Sequence, residues 1–493
     1  MTVAGPRSGS IRCAKQRCHF PNRKPDMKKS LNQRVHHSLN HSVHRTLLTL
    51  LLAAGLNASV TAQAANTNDS ALIKAIDQTL DQIQPEIIAL RHDIHQHPEL
   101  GNREVRTSQL VAERLRKLGL EVRTGVAVTG VVAVLKGGKP GPVIALRSEL
   151  DALPVREQTG LPYASTAKGE YEGNEVGIMH ACGHDAHIAI LLGVAEALAK
   201  HKSQLAGSVK FIFQPAEEGP PGEEEGGAAL MVKEGALENP RPDAIFMLHV
   251  SAGESGSLSI AKGPTTASSD HFTAKIIGAQ THGAAPWRGI DPVPIAAEII
   301  LAWQQIPSRH TDIVNQRPPV ISVGRVEGGQ RHNIIPESIT LDATLRTKSD
   351  GQRDDVLKRL EQISTHIAEA YGAHTEFKVD PRNWPAGFNE PDFVDKVIPS
   401  LKSAAATGNK PFKVSTTSGY AGEDFWAFGK IVPALAFGLS VTPPHIPVAK
   451  AASNHSPFFL VDDDALIIGQ KAFSRIVVDF LANKGYGIKK KAE

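Results

Sequence analysis

The sequence predicts an α/β protein: a mixed, mostly parallel sheet forms a catalytic-type domain, and a ferredoxin-like β-α-β-β-α-β segment is inserted into it. Three observations lead there. Helical and strand-like patterns alternate from Ser70 to about Lys262. The apolar runs at 209–213 and 244–249 are nearly continuous, as strands covered on both faces are. The rhythm then changes between 265 and 379 and returns to its first style afterwards.

In order, residues 86–100 and 107–118 read as helices, and 131–135 and 143–147 as short strands rich in branched side chains. Ile188, Leu191, Leu192, Ala195, Leu198 and Ala199 recur at the spacing of one helix face. The strands 209–213 and 244–249 follow. The second segment reads strand 271–277, helix 294–305, strand 320–326, strand 338–346, helix 350–371 and strand 375–379. Within it Ile339, Leu341, Ala343 and Leu345 alternate with Thr340, Asp342, Thr344 and Arg346, so one face is buried and the other polar. That order is a split βαββαβ sandwich. A helix at 391–405, an apolar strand at 433–439 and a helix at 464–483 resume the first pattern. A chain of this length exceeds one compact core. The expected division is a leader at 1–64, one α/β domain built from 70–264 and 380–487, and an inserted domain at 265–379.

The leader is read from its chemistry. No acidic residue occurs from Met27 to Asn68; Lys28, Lys29, Arg34 and Arg45 precede the apolar run 47–56, and Ala62-Gln63-Ala64 supplies a small-x-small cleavage pattern. Translation from Met27, cleavage after Ala64 and export to the periplasm are expected, with secretion and a transit peptide as the competing readings. The apolar run is too short to span a hydrocarbon core of roughly 30 Å, so no membrane span is expected.

Charge and thiols change once residues 1–64 are set aside. The chain carries 54 Lys and Arg against 51 Asp and Glu, a net charge of +3. Ten of the basic residues and one of the acidic lie in 1–64, which leaves 44 against 50, or −6. A nucleic-acid partner is therefore not expected, because phosphate binding needs a concentrated basic surface. Cys13 and Cys18 leave as well, so Cys182 is the sole thiol. An unpaired thiol in an exported protein points to metal ligation or reactivity, although a buried inert cysteine is the commoner case.

Cys182 lies two residues before His184, at the start of an apolar helix. In open α/β sheets binding sites gather beyond the carboxyl ends of the strands. Here one strand leads into Glu149-Leu150-Asp151, another into Gln214-Pro215-Ala216-Glu217-Glu218, a third ends on His249, and the last leads towards Asn454-His455. Singly, these are weak signals, since paired glutamates are usually solvated and a strand histidine usually packs in a core. Together they supply more donors than one catalytic ion uses, and two divalent ions bridged by a thiolate or a water would use them all. Zinc or manganese is the first expectation and cobalt or nickel the next, because the donors mix sulfur, imidazole and carboxylate. Of Glu217 and Glu218, one can bind metal and the other remain a free base. A cysteine-nucleophile hydrolase using Cys182 and His184, or a non-catalytic metal-binding protein, remain the alternatives.

These motifs resemble the M20 metallopeptidase clan, and within it the amidohydrolases typified by hippurate, N-acyl amino acid and auxin-conjugate hydrolases. The resemblance runs from about Leu90 to Asp479 through Arg91-His92-Asp93-Ile94-His95-Gln96-His97-Pro98-Glu99-Leu100, Ala181-Cys182-Gly183-His184-Asp185, Gln214-Pro215-Ala216-Glu217-Glu218-Gly219, His282-Gly283-Ala284, Asn333-Ile334-Ile335-Pro336, Gly422-Glu423-Asp424-Phe425 and Asn454-His455-Ser456-Pro457. It implies metal ligands at Cys182, His184, Glu218, His249 and His455, with Glu217 as general base. It also implies that Asn333 and Arg346 hold a substrate carboxylate, that His282 polarises the scissile carbonyl, and that Asp151 orients a metal-bound histidine. The inserted domain becomes a lid and dimerisation domain, so that a homodimer or a higher homo-oligomer is expected. The implied reaction is hydrolysis of small N-acyl amino acids to a carboxylic acid and a free amino acid, with a dipeptidase or aminoacylase of the same clan as the alternative. Two features depart from the pattern: Glu149 stands where the family usually has Asp, and Trp287 is large for its place near the lid histidine, as a pocket wall or a packing residue.

Overall fold

The computed structural model describes residues 41–416 and 419–488, with side chains described from Asp69 onward. The expected leader lies outside the described residues as far as position 40, and beyond that only its helical backbone is described. The chain divides into two compact units at Gln63 and Ala64; everything below concerns the second.

An eight-stranded sheet organises this unit. Its spatial order is Glu121–Val126, Gly130–Lys136, Ala206–Gln214, Lys139–Glu149, Ala244–Glu254, Ala434–Thr442, Leu258–Ala261 and Phe412–Ser415. The four central strands pair parallel to one another, while Gly130–Lys136 and Leu258–Ala261 join them antiparallel. Parallel pairing brings four carboxyl ends out at one edge. That edge is where the chemistry collects.

Both faces of the sheet are covered, which is why its strands read as continuous apolar runs. Ile144, Leu146, Phe211, Phe213, Phe246 and Leu248 point into one cluster, packed by helices His184–Lys200, Pro391–Thr407 and Leu466–Ala482. Their neighbours Ala145, Ile212, Ile245 and Met247 point into another, closed by the short helices Gly227–Lys233 and Trp426–Ile431.

Residues 265–379 carry a second sheet, with spatial order Val320–Glu327, Ser338–Arg346, Asp270–Ile277 and His374–Val379, all antiparallel. Helices Pro292–Trp303 and Asp350–Ala370 cover one of its faces through a separate cluster that includes Phe272, Trp303, Leu341 and Leu360. Strict alternation of burial along Ser338–Arg346 matches its apolar and polar alternation.

Several boundaries differ from the sequence reading. The helix expected at 86–100 ends at Gln96. The strand expected to stop at His249 runs on to Glu254, so His249 lies inside it. Three strands of the eight-stranded sheet are unanticipated: Glu121–Val126 is mostly exposed and polar, while Leu258–Ala261 and Phe412–Ser415 have four residues each, too few for a periodic signal. Among the described residues no helix is long and apolar enough to cross a membrane.

Candidate metal centre and active site

The donors come from the carboxyl-end side of the sheet: His249 from within its strand, His184 from the first turn of a helix, and the others from loops. Glu149 and Gln214 are the last residues of their strands, so Asp151 and the Glu217-Glu218 pair fall just beyond the sheet edge. His455 follows the strand Ala434–Thr442, and its amide donates to Ala181 O at 2.8 Å, tying that loop to the cysteine segment. Gly183 separates Cys182 from His184 at φ +91°, and a Cβ there would meet the Val250 side chain at 2.4 Å. Only glycine allows this left-handed turn so close to the strand that carries His249.

The ligating atoms of Cys182, His184 and His249 lie within 4.8 Å of one another, and so do those of Cys182, Glu218 and His455. The two groups share the Cys182 sulfur. His184 Nδ1 is engaged by Asp151, at 2.8 Å from its carbonyl and 3.3 Å from its carboxylate, which leaves Nε2 buried without a hydrogen-bond partner. His249 donates Nδ1–H to Val250 O at 2.7 Å and directs Nε2 to the Cys182 sulfur at 3.5 Å. One nitrogen fixed by the protein and the other turned into the cluster is how metal-binding histidines are oriented. The donor set therefore fits two divalent ions, with Cys182 common to both.

Charge distribution agrees with that use. Burial opposes ionisation of the Cys182 thiol, but His249 and His184 outweigh it and bring its pKa down to about 6. Burial, and then Glu423, Glu218 and Asp424, hold the Glu217 carboxyl well above the usual range, whereas Glu218 is lowered because its bond to His455, at 3.0 Å, and the nearby His184 overcome burial. Two adjacent carboxyls are thus driven apart, one towards holding a proton and one towards staying ionised. Glu217 Oε2 lies 3.8 Å from His184 Nε2.

Beneath these residues is a buried support that sequence reasoning missed. Arg147 bonds Glu149, Gln214 Oε1 (2.8 Å), Glu423 Oε1 (3.0 Å) and Asp424 Oδ1 (2.9 Å), with no side-chain exposure. Glu149 also accepts His187 Nδ1–H at 2.8 Å, and His187 Nε2 in turn accepts the amide of Val250, next to His249, at 2.8 Å. Both Glu149 oxygens are committed in this way. Glu423 and Asp424, which lie just before the helix Trp426–Ile431, are partners of Arg147. A charged residue inside the apolar run at 143–147 was the available signal. Glu104 gave none; it is fully buried and accepts the Ala216 amide at 2.8 Å and the Thr129 hydroxyl at 2.5 Å.

Cys182, Glu217, Glu218, His249 and His455 line one cavity of about 780 Å³, and Arg346 from the second sheet lines it with them. Arg346 ends its strand and donates to Ser269 Oγ. His184 and Asp151 lie buried behind the cavity wall. His282 and Asn333 do not line it: they sit at the short pair Thr281–His282 and Ile334–Ile335, where His282 is opposite Ile334 and Gly283 N donates to Asn333 O at 2.9 Å. Asn333 Oδ1 is buried there without a partner, and His282 is exposed. Trp287 is 78% exposed and neither lines the cavity nor packs in a core.

The sequence profile of peptidase family M20/M25/M40 matches residues 145–479. Thermostable carboxypeptidase 1 of Saccharolobus solfataricus is 36% identical over 83% of this chain and 99% of its own length. An N-acetyl-L-cysteine deacetylase of Bacillus subtilis is 33% identical over 79% of this chain and 86% of its own. Among solved structures, a Bacillus subtilis dinuclear metal-binding peptidase of the M20 family is similar with a TM-score of 0.66 and 31% identity, covering 81% of this chain and 99% of that one.

Proposed function

The chain belongs to peptidase family M20/M25/M40, and from that premise we propose that it is a two-metal amidohydrolase cleaving N-acyl amino acids, hippurate-like compounds among them. The observation that carries this reading is the pair of donor groups sharing Cys182, set beside Glu217, which is in neither of them and meets His184 and Glu218 in a third. Relatives named as a carboxypeptidase and a deacetylase support hydrolysis of an amide bond next to an amino acid.

Cys182, His184 and His249 would hold one divalent ion and Cys182, Glu218 and His455 the other. When bound, the ions polarise the amide carbonyl and lower the pKa of a water from about 15.7 towards about 7. Glu217 takes a proton from the attacking water and returns it to the leaving amine. Asp151 holds His184 in the required tautomer. Arg346 receives the carboxylate of the amino-acid half.

The segment 265–379 acts in this reading as a lid and dimerisation domain. His282 and Asn333 serve the site of a partner copy, in keeping with their absence from the cavity of their own chain. Export to the periplasm is proposed from the leader chemistry.

Hydrolysis of N-acyl amino acids by the metal-reconstituted protein, abolished by chelation and restored by zinc, manganese or cobalt, is the expected result. Activity that survives complete metal removal would transfer the reaction to Cys182 as nucleophile. Preference for free dipeptides over N-acyl amino acids would make the protein a dipeptidase.

A further inference from the structure

A second cavity, of about 500 Å³, lies against the first, and the two share only Glu217 and Trp384 among their lining residues. The candidate base therefore sits on the boundary between two chambers, and Trp384 is the other part of that boundary. Trp384 is firmly placed. Its amide and carbonyl pair with Ser269 in both directions at 3.0 Å, and Ser269 Oγ is the group that accepts from Arg346. Its ring closes on Gly422, where a Cβ would meet Cε3 at 2.5 Å and Cζ3 at 3.0 Å.

Arg346 lines the larger chamber alone. With the amino-acid carboxylate placed at Arg346 and the scissile amide at Glu217, the acyl half is left at the boundary that Trp384 forms with the smaller chamber. We propose that the smaller chamber is the acyl subsite, that Trp384 determines its specificity by stacking on the acyl group, and that it takes uncharged, flat acyl groups and rejects acyl groups ending in a carboxylate. This assignment rests on the amidohydrolase reading above.

Size and charge give the class. The chamber is far larger than an acetyl group fills. Its walls carry Glu172, Glu224, Glu225, Asp380 and Asp424 besides Glu217. The two cations that line it are engaged: Lys233 with Glu225 at 2.7 Å and Arg382 with Asp380 at 2.8 Å. Lys233 and Arg382 are thus already paired, and an anionic acyl terminus would have to compete with Glu225 and Asp380 for them, whereas an aromatic acyl group gains a stacking face.

The test compares N-benzoyl, N-acetyl and N-succinyl derivatives of one amino acid with the metal-loaded wild type, Trp384→Leu and Ala229→Trp. Ala229 is an exposed residue on the wall of the smaller chamber, so the larger side chain narrows it without disturbing the core. The wild type should prefer benzoyl over acetyl and succinyl least. Trp384→Leu should lower the benzoyl-to-acetyl ratio of kcat/KM by roughly 2- to 12-fold, the worth of one aromatic pair, and Ala229→Trp should lower it too. A ratio unmoved by both variants, or succinyl hydrolysed as fast as benzoyl, overturns the subsite. Failure of the wild type to hydrolyse any of the three instead overturns the amidohydrolase reading and the subsite with it.

Discussion

Glu104 and Ala216, 112 residues apart, are joined by a 2.8 Å hydrogen bond from the Ala216 amide to the buried Glu104 carboxyl. Ala216 has φ +50°, a conformation that costs a non-glycine residue about 1–2 kcal/mol, and it immediately precedes Glu217. On the other side of Glu217, the amide of Glu218 donates to Asp151 Oδ2 at 2.9 Å. The candidate base is thus pinned through both neighbouring amides by two buried acids from different parts of the chain.

Loss of one pin should release the base. Glu104→Ala is expected to lower kcat by about tenfold or more, since small misplacements of a reacting group are costly, while KM and bound metal stay as in the wild type. Glu104→Gln retains an acceptor for the Ala216 amide and should recover most of the rate. Steady-state kinetics with metal analysis checks this; equal losses in both variants would make the carboxyl charge, and not its hydrogen bond, the important property.

Glu104 also predicts a pH dependence of stability. Burial, and then the nearby Asp151, raises its pKa to about 8. The folded state therefore holds this proton more tightly than the unfolded chain, where the value is about 4.3. The contribution is fully present below the unfolded value and is lost as pH rises through about 8. Glu104→Gln has no such proton, so denaturant unfolding of wild type relative to the variant should shift against the wild type between about pH 5 and about pH 8. A constant difference across that range would refute the raised pKa.

Replacing the base itself separates chemistry from metal binding. Glu217→Gln should keep both metal equivalents, because Cys182, His184, Glu218, His249 and His455 remain, and should lose roughly 10²-fold or more in kcat. Wild-type turnover in this variant would assign the proton transfer to another group. Loss of metal would make Glu217 a ligand.

Arg147 is the single cation beneath three carboxylates, with no side-chain exposure. Arg147→Met should destabilise the fold by about 3–5 kcal/mol, the range for leaving buried charges unpartnered. Chemical denaturation measures this directly; a change below about 1 kcal/mol would mean that the acids have taken up protons instead.

Much of this protein was legible in one dimension. Alternating helical and continuous apolar patterns specify an α/β sheet covered on both faces, because burial on two sides leaves no room for polar positions in a strand. The change of rhythm at 265 marks the second sheet, since an antiparallel layer with one open face must alternate. The ligand candidates Cys182, His184, Glu218, His249 and His455 could be named because metal donors are chemically rare types and they fell in or next to the strands and the helix start that the apolar patterns marked. What local sequence carries no trace of is pairing over long separations. That Cys182 is shared by two donor groups, that Glu149 is consumed by Arg147 and His187, that Glu104 holds the turn before Glu217, and that Arg346 reaches the cavity while His282 and Asn333 do not, all depend on where the two sheets place side chains in space. Residue type and periodicity report which face a side chain takes. Only the folded chain decides which distant group it meets there.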